Sequence, residues 1–167
     1  VGYVSAATAQ EVSWALDTAV SFSSVWFGVD VEKRAEILRQ MASLLEKNQA
    51  ALASLCIREA GKTRANAIAE IREAVDFCHY YARQISSCRL PAACRGPVVC
   101  ISPWNFPLAI FVGEVVAALA AGSPVLAKPA EQTPLIAGLA VALLHKAGIL
   151  RDVLQFLPGP GETVGAR

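Results

Sequence analysis

Ser102-Pro103-Trp104-Asn105-Phe106-Pro107 sets an uncharged amide between two prolines, where the apolar run Val98–Ile101 gives way to a turn. A second apolar, Ala-rich run follows from Leu108 to Ala121. Apolar strand, rigid turn and packed helix is the pattern, with Pro107 suited to the first helical position. Asn105 then lies at the carboxyl end of a strand, where open α/β sheets gather their ligands. Its amide can donate a hydrogen bond to an oxygen that is gaining negative charge, as at a carbonyl under attack. The same residue type also serves as a helix cap, and spacing alone leaves both roles open.

Two further loops repeat this logic. In Val125-Leu126-Ala127-Lys128-Pro129-Ala130-Glu131-Gln132-Thr133-Pro134 a cation leaves the end of a strand and a carboxylate precedes a helix. Thr133 suits the N-cap and Pro134 the N1 position. Lys128 and Glu131 together can grip vicinal hydroxyls of a ribose, or simply pair with each other. Leu157-Pro158-Gly159-Pro160-Gly161-Glu162-Thr163-Val164-Gly165 reads G-x-G-x-x-x-G, one residue longer than the dinucleotide fingerprint. A Gly/Pro-rich turn explains it equally well.

Other chemically suggestive residues have plainer roles. Glu59-Ala60-Gly61-Lys62-Thr63 lacks the earlier glycine and the preceding strand of a P-loop, and reads as a helix C-cap. His79 reads as a packed or half-exposed helical residue, and His145 as a charge placed to offset a helix dipole. The five cysteines are Cys56, Cys78, Cys88, Cys94 and Cys100. They form no C-x-x-C and no even framework, so neither a zinc site nor a disulfide scaffold is expected. Cys56, Cys78 and Cys100 lie inside apolar patterns; Cys88 and Cys94 fall in a loop. None has a neighbouring base or dipole that would lower a thiol pKa.

The elements that position these loops follow from periodicity. Glu11 to Phe27 reads as a helix with Val12, Leu16, Val20 and Trp26 inward. Asp30 caps a longer helix, with a stripe from Ile37 through Leu45 to Leu55 and Arg34, Glu36, Arg39, Glu46 and Lys47 on the wet face. A third helix runs from Ala65 to about Ile85, with Ile68, Ile71, Val75, Cys78 and Tyr81 on one face and Glu70, Arg72, Glu73 and Asp76 on polar ones. Ser86 to Gly96 reads as a linker. Beyond it come strand Val98–Ile101, helix Pro107–Ala121, strand Pro124–Lys128, helix Pro134–Ala147 and strand Val153–Phe156. That alternation implies an α/β fold with a parallel sheet. The chain divides at the linker into a helical part, 1–95, and an alternating α/β part, 96–167.

Composition narrows the classes. A chain of 167 residues with 54% hydrophobic content and mean hydropathy +0.43 buries a core rather than staying disordered. The net charge of +1 and the absence of a basic run argue against a nucleic-acid partner. The most apolar segment is too short to span a bilayer and contains Glu114. No signal peptide is apparent, so a cytoplasmic location is expected.

The Ser102–Pro107 string resembles the signature of the aldehyde dehydrogenase superfamily, and the Lys128–Pro134 and Gly159–Gly165 strings follow in that family's order. Arg58–Thr63, Ala67–Phe77 and Gly96–Phe111 are most similar to the dehydrogenase part of bacterial bifunctional proline-utilisation proteins. The likeness covers nearly the whole chain and is weakest over Ser86–Arg95. It implies the first half of a parallel-sheet, Rossmann-like NAD-binding domain preceded by a helical arm. It implies NAD as cofactor and L-glutamate γ-semialdehyde, in equilibrium with pyrroline-5-carboxylate, as the small-molecule aldehyde. Asn105 matches the oxyanion-hole amide. Ile101, Ser102, Pro103 and Trp104 match the loop under the nicotinamide side. Lys128 and Glu131 match the adenosine-ribose contacts, and Glu131 would repel a 2′-phosphate. Gly159, Gly161 and Gly165 match the close approach of backbone to cofactor or helix, and Glu73 and Phe106 the surroundings of the aldehyde pocket. The family's catalytic cysteine, general-base glutamate and second ribose-binding glutamate match no position here. The chain is therefore expected to be a fragment of a homo-oligomeric parent, inactive by itself; the alternatives are an aldehyde dehydrogenase of other substrate specificity, or a non-catalytic nucleotide-binding or interaction module.

Overall fold

The fold was analysed in a computed structural model, which describes residues 2–87 and 95–166. The expectations for Cys88 and Cys94 lie outside the described residues.

Five helices precede the sheet: α1 (Ala9–Ser21), α2 (Ser23–Phe27), α3 (Val31–Lys47), α4 (Gln49–Ala60) and α5 (Arg64–Ser87). Thr8 and Glu11 start α1 with a reciprocal capping box, and Asp30 caps α3 through the amides of Glu32 and Lys33. The stretch expected as one helix from Asp30 to Leu55 breaks at Asn48, whose side-chain amide donates to the Leu44 carbonyl at 2.7 Å. The same carbonyl also takes the Asn48 backbone amide at 3.1 Å, so both donors of Asn48 close the end of α3. Gly61 ends α4 at φ 65°, a left-handed conformation in which a Cβ would be strained.

The sheet alternates with helices as expected: β1 (Val98–Ile101), α6 (Ala109–Ala120), β2 (Val125–Lys128), α7 (Pro134–Ala147) and β3 (Leu154–Phe156), followed by a single π-helical turn at Gly161–Gly165. All pairings are parallel, in the order β1-β2-β3, with Ile101 opposite Lys128 and Ala127 opposite Phe156. One face of the sheet, carrying Cys100, Val125, Ala127 and Leu154, shares a single hydrophobic cluster with α3 to α7. On the other face Leu126 and Leu157 pack with Val12, Ala15 and Ala19 of α1 and with Val164.

Four local expectations are corrected. Pro107 is not the first helical residue, because α6 starts at Ala109 with Leu108 at the N-cap. Leu16 and Val20 point outward, at 43% and 56% exposed, because the smaller Ala15 and Ala19 let α1 approach the sheet closely. Arg34 is not on a wet face: it is 2% exposed, and Nη1 donates to the carbonyls of Phe27 at 3.0 Å and Val29 at 2.8 Å. It thereby ties down the end of α2, whose Trp26 indole donates to the Leu119 carbonyl. Glu70 is also 2% exposed rather than solvated.

Glu114 explains itself less easily. One carboxylate oxygen is buried without a partner among the described residues, and desolvation raises its pKa above the ordinary value of 4.5. A raised folded-state pKa gives stability that is present below the unfolded value and is lost as pH rises through the folded one. Glu114→Gln is therefore expected to raise the melting temperature at pH 8 and to leave it nearly unchanged at pH 4. Paired melting curves at the two pH values check the sign.

Candidate active site at the carboxyl edge of the sheet

Parallel pairing sends the segments after β1, β2 and β3 off the same edge. The Ser102 amide donates to the Lys128 carbonyl at 3.2 Å, and the Leu157 amide to that of Ala127 at 2.9 Å. The three stretches singled out above thus become neighbours, although some 50 residues of chain separate the first from the last.

In the first loop Ser102, Pro107 and Leu108 are buried, while Trp104, Asn105 and Phe106 are exposed at its tip. No hydrogen bond among the described residues engages the Asn105 amide, and α6 has no side-chain cap. Asn105 therefore does not cap α6.

Lys128 and Glu131 do not pair with each other. Lys128 is 7% exposed and its ammonium donates to the Pro129 carbonyl at 3.2 Å. Glu131 instead accepts from the Gly161 amide at 3.0 Å, binding the second loop to the third. Gly159 has φ 149°, and a Cβ there would lie 2.9 Å from a Val164 methyl. Its lack of a side chain lets the loop fold back onto the π turn. At Gly165 a Cβ would stand 3.9 Å from the Lys128 stem. A cavity of about 330 Å³ opens here, bounded by Val12, Ser13 and Leu16 of α1, by Val99 and Leu126, and by Lys128 and Gly165. An apolar hollow with one cation suits a flat heterocycle joined to a polar, anionic group. Sequence reasoning missed the share of α1 in this wall, since Leu16 reads there as a core residue.

The helical arm holds both crossover helices by their N-termini. Glu59, at the end of α4, accepts from the amides of Leu135 at 2.7 Å and Ile136 at 2.8 Å. It does the capping expected of Thr133, whose side chain makes no cap hydrogen bond. Glu70 of α5 accepts from the Leu108 amide at 3.2 Å, and its other oxygen lies 2.9 Å from the Lys62 ammonium. That ammonium sits 4.4 Å from the centre of the Phe106 ring. The available hint was positional: Glu70 falls three residues after Ala67 and one before Ile71, on the apolar stripe of α5. Glu73 lies on the next turn of α5 and is exposed.

No thiol among the described residues is prepared as a nucleophile. Burial pushes Cys56, Cys78 and Cys100 up to about 12. At neutral pH they remain thiols. We expect at most two of the five cysteines to react with a thiol reagent in the native chain and all five in denaturant, as a colorimetric titration will show.

A model of the aldehyde dehydrogenase family matches residues 1–167. The chain belongs to the aldehyde dehydrogenase family. It is 57% identical over 169 residues to the bifunctional protein PutA of Escherichia coli K12, matching all of this chain and 13% of that protein. It is 38% identical over 179 residues to the 1-pyrroline-5-carboxylate dehydrogenase of Anoxybacillus flavithermus, covering 99% of this chain and 35% of the relative. The solved 1-pyrroline-5-carboxylate dehydrogenase from Thermus with bound NAD superposes with TM-score 0.90 at 33% identity, over 97% of this chain and 34% of that one. The chain thus spans about a third or less of these relatives. The observed helices and three-stranded parallel sheet are the N-terminal portion of the family's fold. Among the described residues no helix is long and apolar enough to cross a membrane.

Proposed function

We propose that this chain supplies part of the active site of an NAD-dependent dehydrogenase that oxidises L-glutamate γ-semialdehyde, the open form of 1-pyrroline-5-carboxylate, to glutamate. The observation that carries the proposal is the convergence of the three loops on one edge. An unengaged amide stands at the tip of the first loop, and a buried lysine opens onto the cavity behind it. The names of the relatives supply the substrate.

On this reading Lys128, Glu131 and the Gly159–Gly165 turn hold NAD, which accepts hydride when bound. Lys128 offers the positive end of the cavity. Glu131 meets a ribose hydroxyl with the carboxylate oxygen it does not give to Gly161. Ile101, Ser102, Pro103 and Trp104 form the floor toward the nicotinamide, and Asn105 donates to the aldehyde oxygen as charge builds on it. Phe106 and Glu73 border the aldehyde. The attacking thiolate and the base are not Cys56, Cys78 or Cys100, which stay protonated. They belong to the part of the relatives that this chain does not span.

The test is a chimera: this chain in place of the matching 169 residues of E. coli PutA. It is expected to reduce NAD with pyrroline-5-carboxylate at a rate within about tenfold of the parent. Preference for a long unbranched aldehyde would overturn the substrate, and a purified, folded chimera that reduces no NAD would overturn the reading.

A further inference from the structure

The pair Lys62–Glu70, its carboxylate buried and its ammonium partly buried, is left over from this assignment. Neither residue belongs to the three loops that converge at the edge, but both touch the first of them, Lys62 through Phe106 and Glu70 through Leu108. Their burial is nonetheless costly unless each charge is met. Glu70 is met on two sides, by the Lys62 ammonium at 2.9 Å and by the Leu108 amide at 3.2 Å. The Cys56 thiol stands 3.9 Å from the oxygen that takes the Leu108 bond. Lys62 is met by Glu70 on one side and by the Phe106 ring, at 4.4 Å, on the other. A cation over a ring face is attracted to it, and more strongly where water is scarce. Both ends of this chain of contacts therefore land on the turn that carries Asn105. Leu108 follows the amide by three residues and Phe106 by one. The turn has no cap of its own on α6.

We propose that Lys62 and Glu70 are positioning residues for the oxyanion donor: the pair clamps Phe106 and Leu108 and so sets where the Asn105 amide points. This rests on the role given to Asn105 above. An exposed tip without internal bonds has many orientations, and an oxyanion donor is effective in only a few of them. The clamp is supplied by α5 and by the corner between α4 and α5. A clamp of this kind acts on the reacting centre and not on the cofactor cavity.

The test uses the chimera with four variants: Lys62→Met, Lys62→Arg, Glu70→Gln and the double variant Lys62→Met/Glu70→Gln. Lys62→Met and Glu70→Gln are each expected to lower kcat by roughly 10- to 100-fold, with KM for NAD within about twofold. The double variant should be no worse than the poorer single one, because the two act as one unit. Lys62→Arg keeps the charge and the ring contact and should restore most of kcat. A loss of thermal stability with kcat unchanged would overturn the proposal, as would a fall in kcat that Lys62→Arg does not relieve. If Asn105→Ala leaves kcat untouched in the same chimera, the dehydrogenase reading fails. If Asn105→Ala lowers kcat and the clamp variants do not, only the clamp fails. A readout independent of activity comes from amide exchange in the ¹⁵N-leucine-labelled chain. Glu70→Gln should speed exchange at Leu108 at least about tenfold while Leu144, in the core of α7, stays slow. Unchanged exchange at Leu108 would sink the clamp, even if a variant chimera failed to fold.

Discussion

Replacing Asn105 by alanine in the chimera is expected to lower kcat for the semialdehyde by about 10²- to 10³-fold, the loss typical of removing one donor to a developing oxyanion. The effect should fall on kcat, with little change in KM for NAD, because the amide is called on only as the carbonyl oxygen gains charge. Stability should hardly move. The side chain is exposed and makes no hydrogen bond among the described residues, so its loss leaves no buried group unpaired. Asn105→Asp is the sharper variant: nearly the same size, but it places a negative charge where one must form, and its rate should be lower still. Steady-state kinetics beside a melting curve decide the matter. A drop in kcat matched by a collapse in melting temperature would mean that Asn105 supports the fold instead.

Replacing Glu59 by alanine is expected to have the opposite signature. Its carboxylate accepts two short bonds from the first turn of α7, whose own threonine makes none. Hydrogen bonds to a charged group contribute about 1.5–3 kcal/mol each, and losing the acceptor leaves two amides at a partly buried helix end. The combined cost should be about 2–4 kcal/mol, a fall of roughly 10 °C in melting temperature for a chain of this size. Removing Glu36, which pairs with Lys33 at 2.7 Å on the surface, should by contrast move the melt by no more than about 1 °C. The loop from Lys128 to Thr133 runs directly into this helix end, so Glu59→Ala should also raise KM for NAD in the chimera. Equal melts for Glu59→Ala and Glu36→Ala would refute the capping role.

These two residues show how differently parts of the site are written into the chain. Asn105 can be picked out as a candidate because a proline-bracketed turn at the end of an apolar run is local chemistry. Glu59 is not, since the amides it satisfies lie 76 and 77 residues away, and no local pattern encodes that distance. Glu70 and Arg34 read as wet for a related reason. Periodicity assigns charges to the solvent by default, and only a partner brought in from elsewhere makes their burial tolerable. Leu16 and Val20 failed in the converse direction: the face of α1 that could come close to the sheet was the one with alanines.

The sequence by itself determined the alternation of apolar runs and turns, hence the α/β class, the parallel order and the three loops worth examining. It also determined that no cysteine in a legible context was prepared for attack, because apolar surroundings raise a thiol pKa whatever the fold. Only the tertiary structure decided that Glu131 binds Gly161 and not Lys128, and that α1 closes the cavity. It alone placed the carboxylates of the helical arm under both crossover helices. The division follows from the range of the forces. Backbone propensity and hydrophobic period act over a few residues and survive in the string. Hydrogen bonds to buried charges act at 3 Å between residues the chain sets far apart, and they exist only once the core has brought them together.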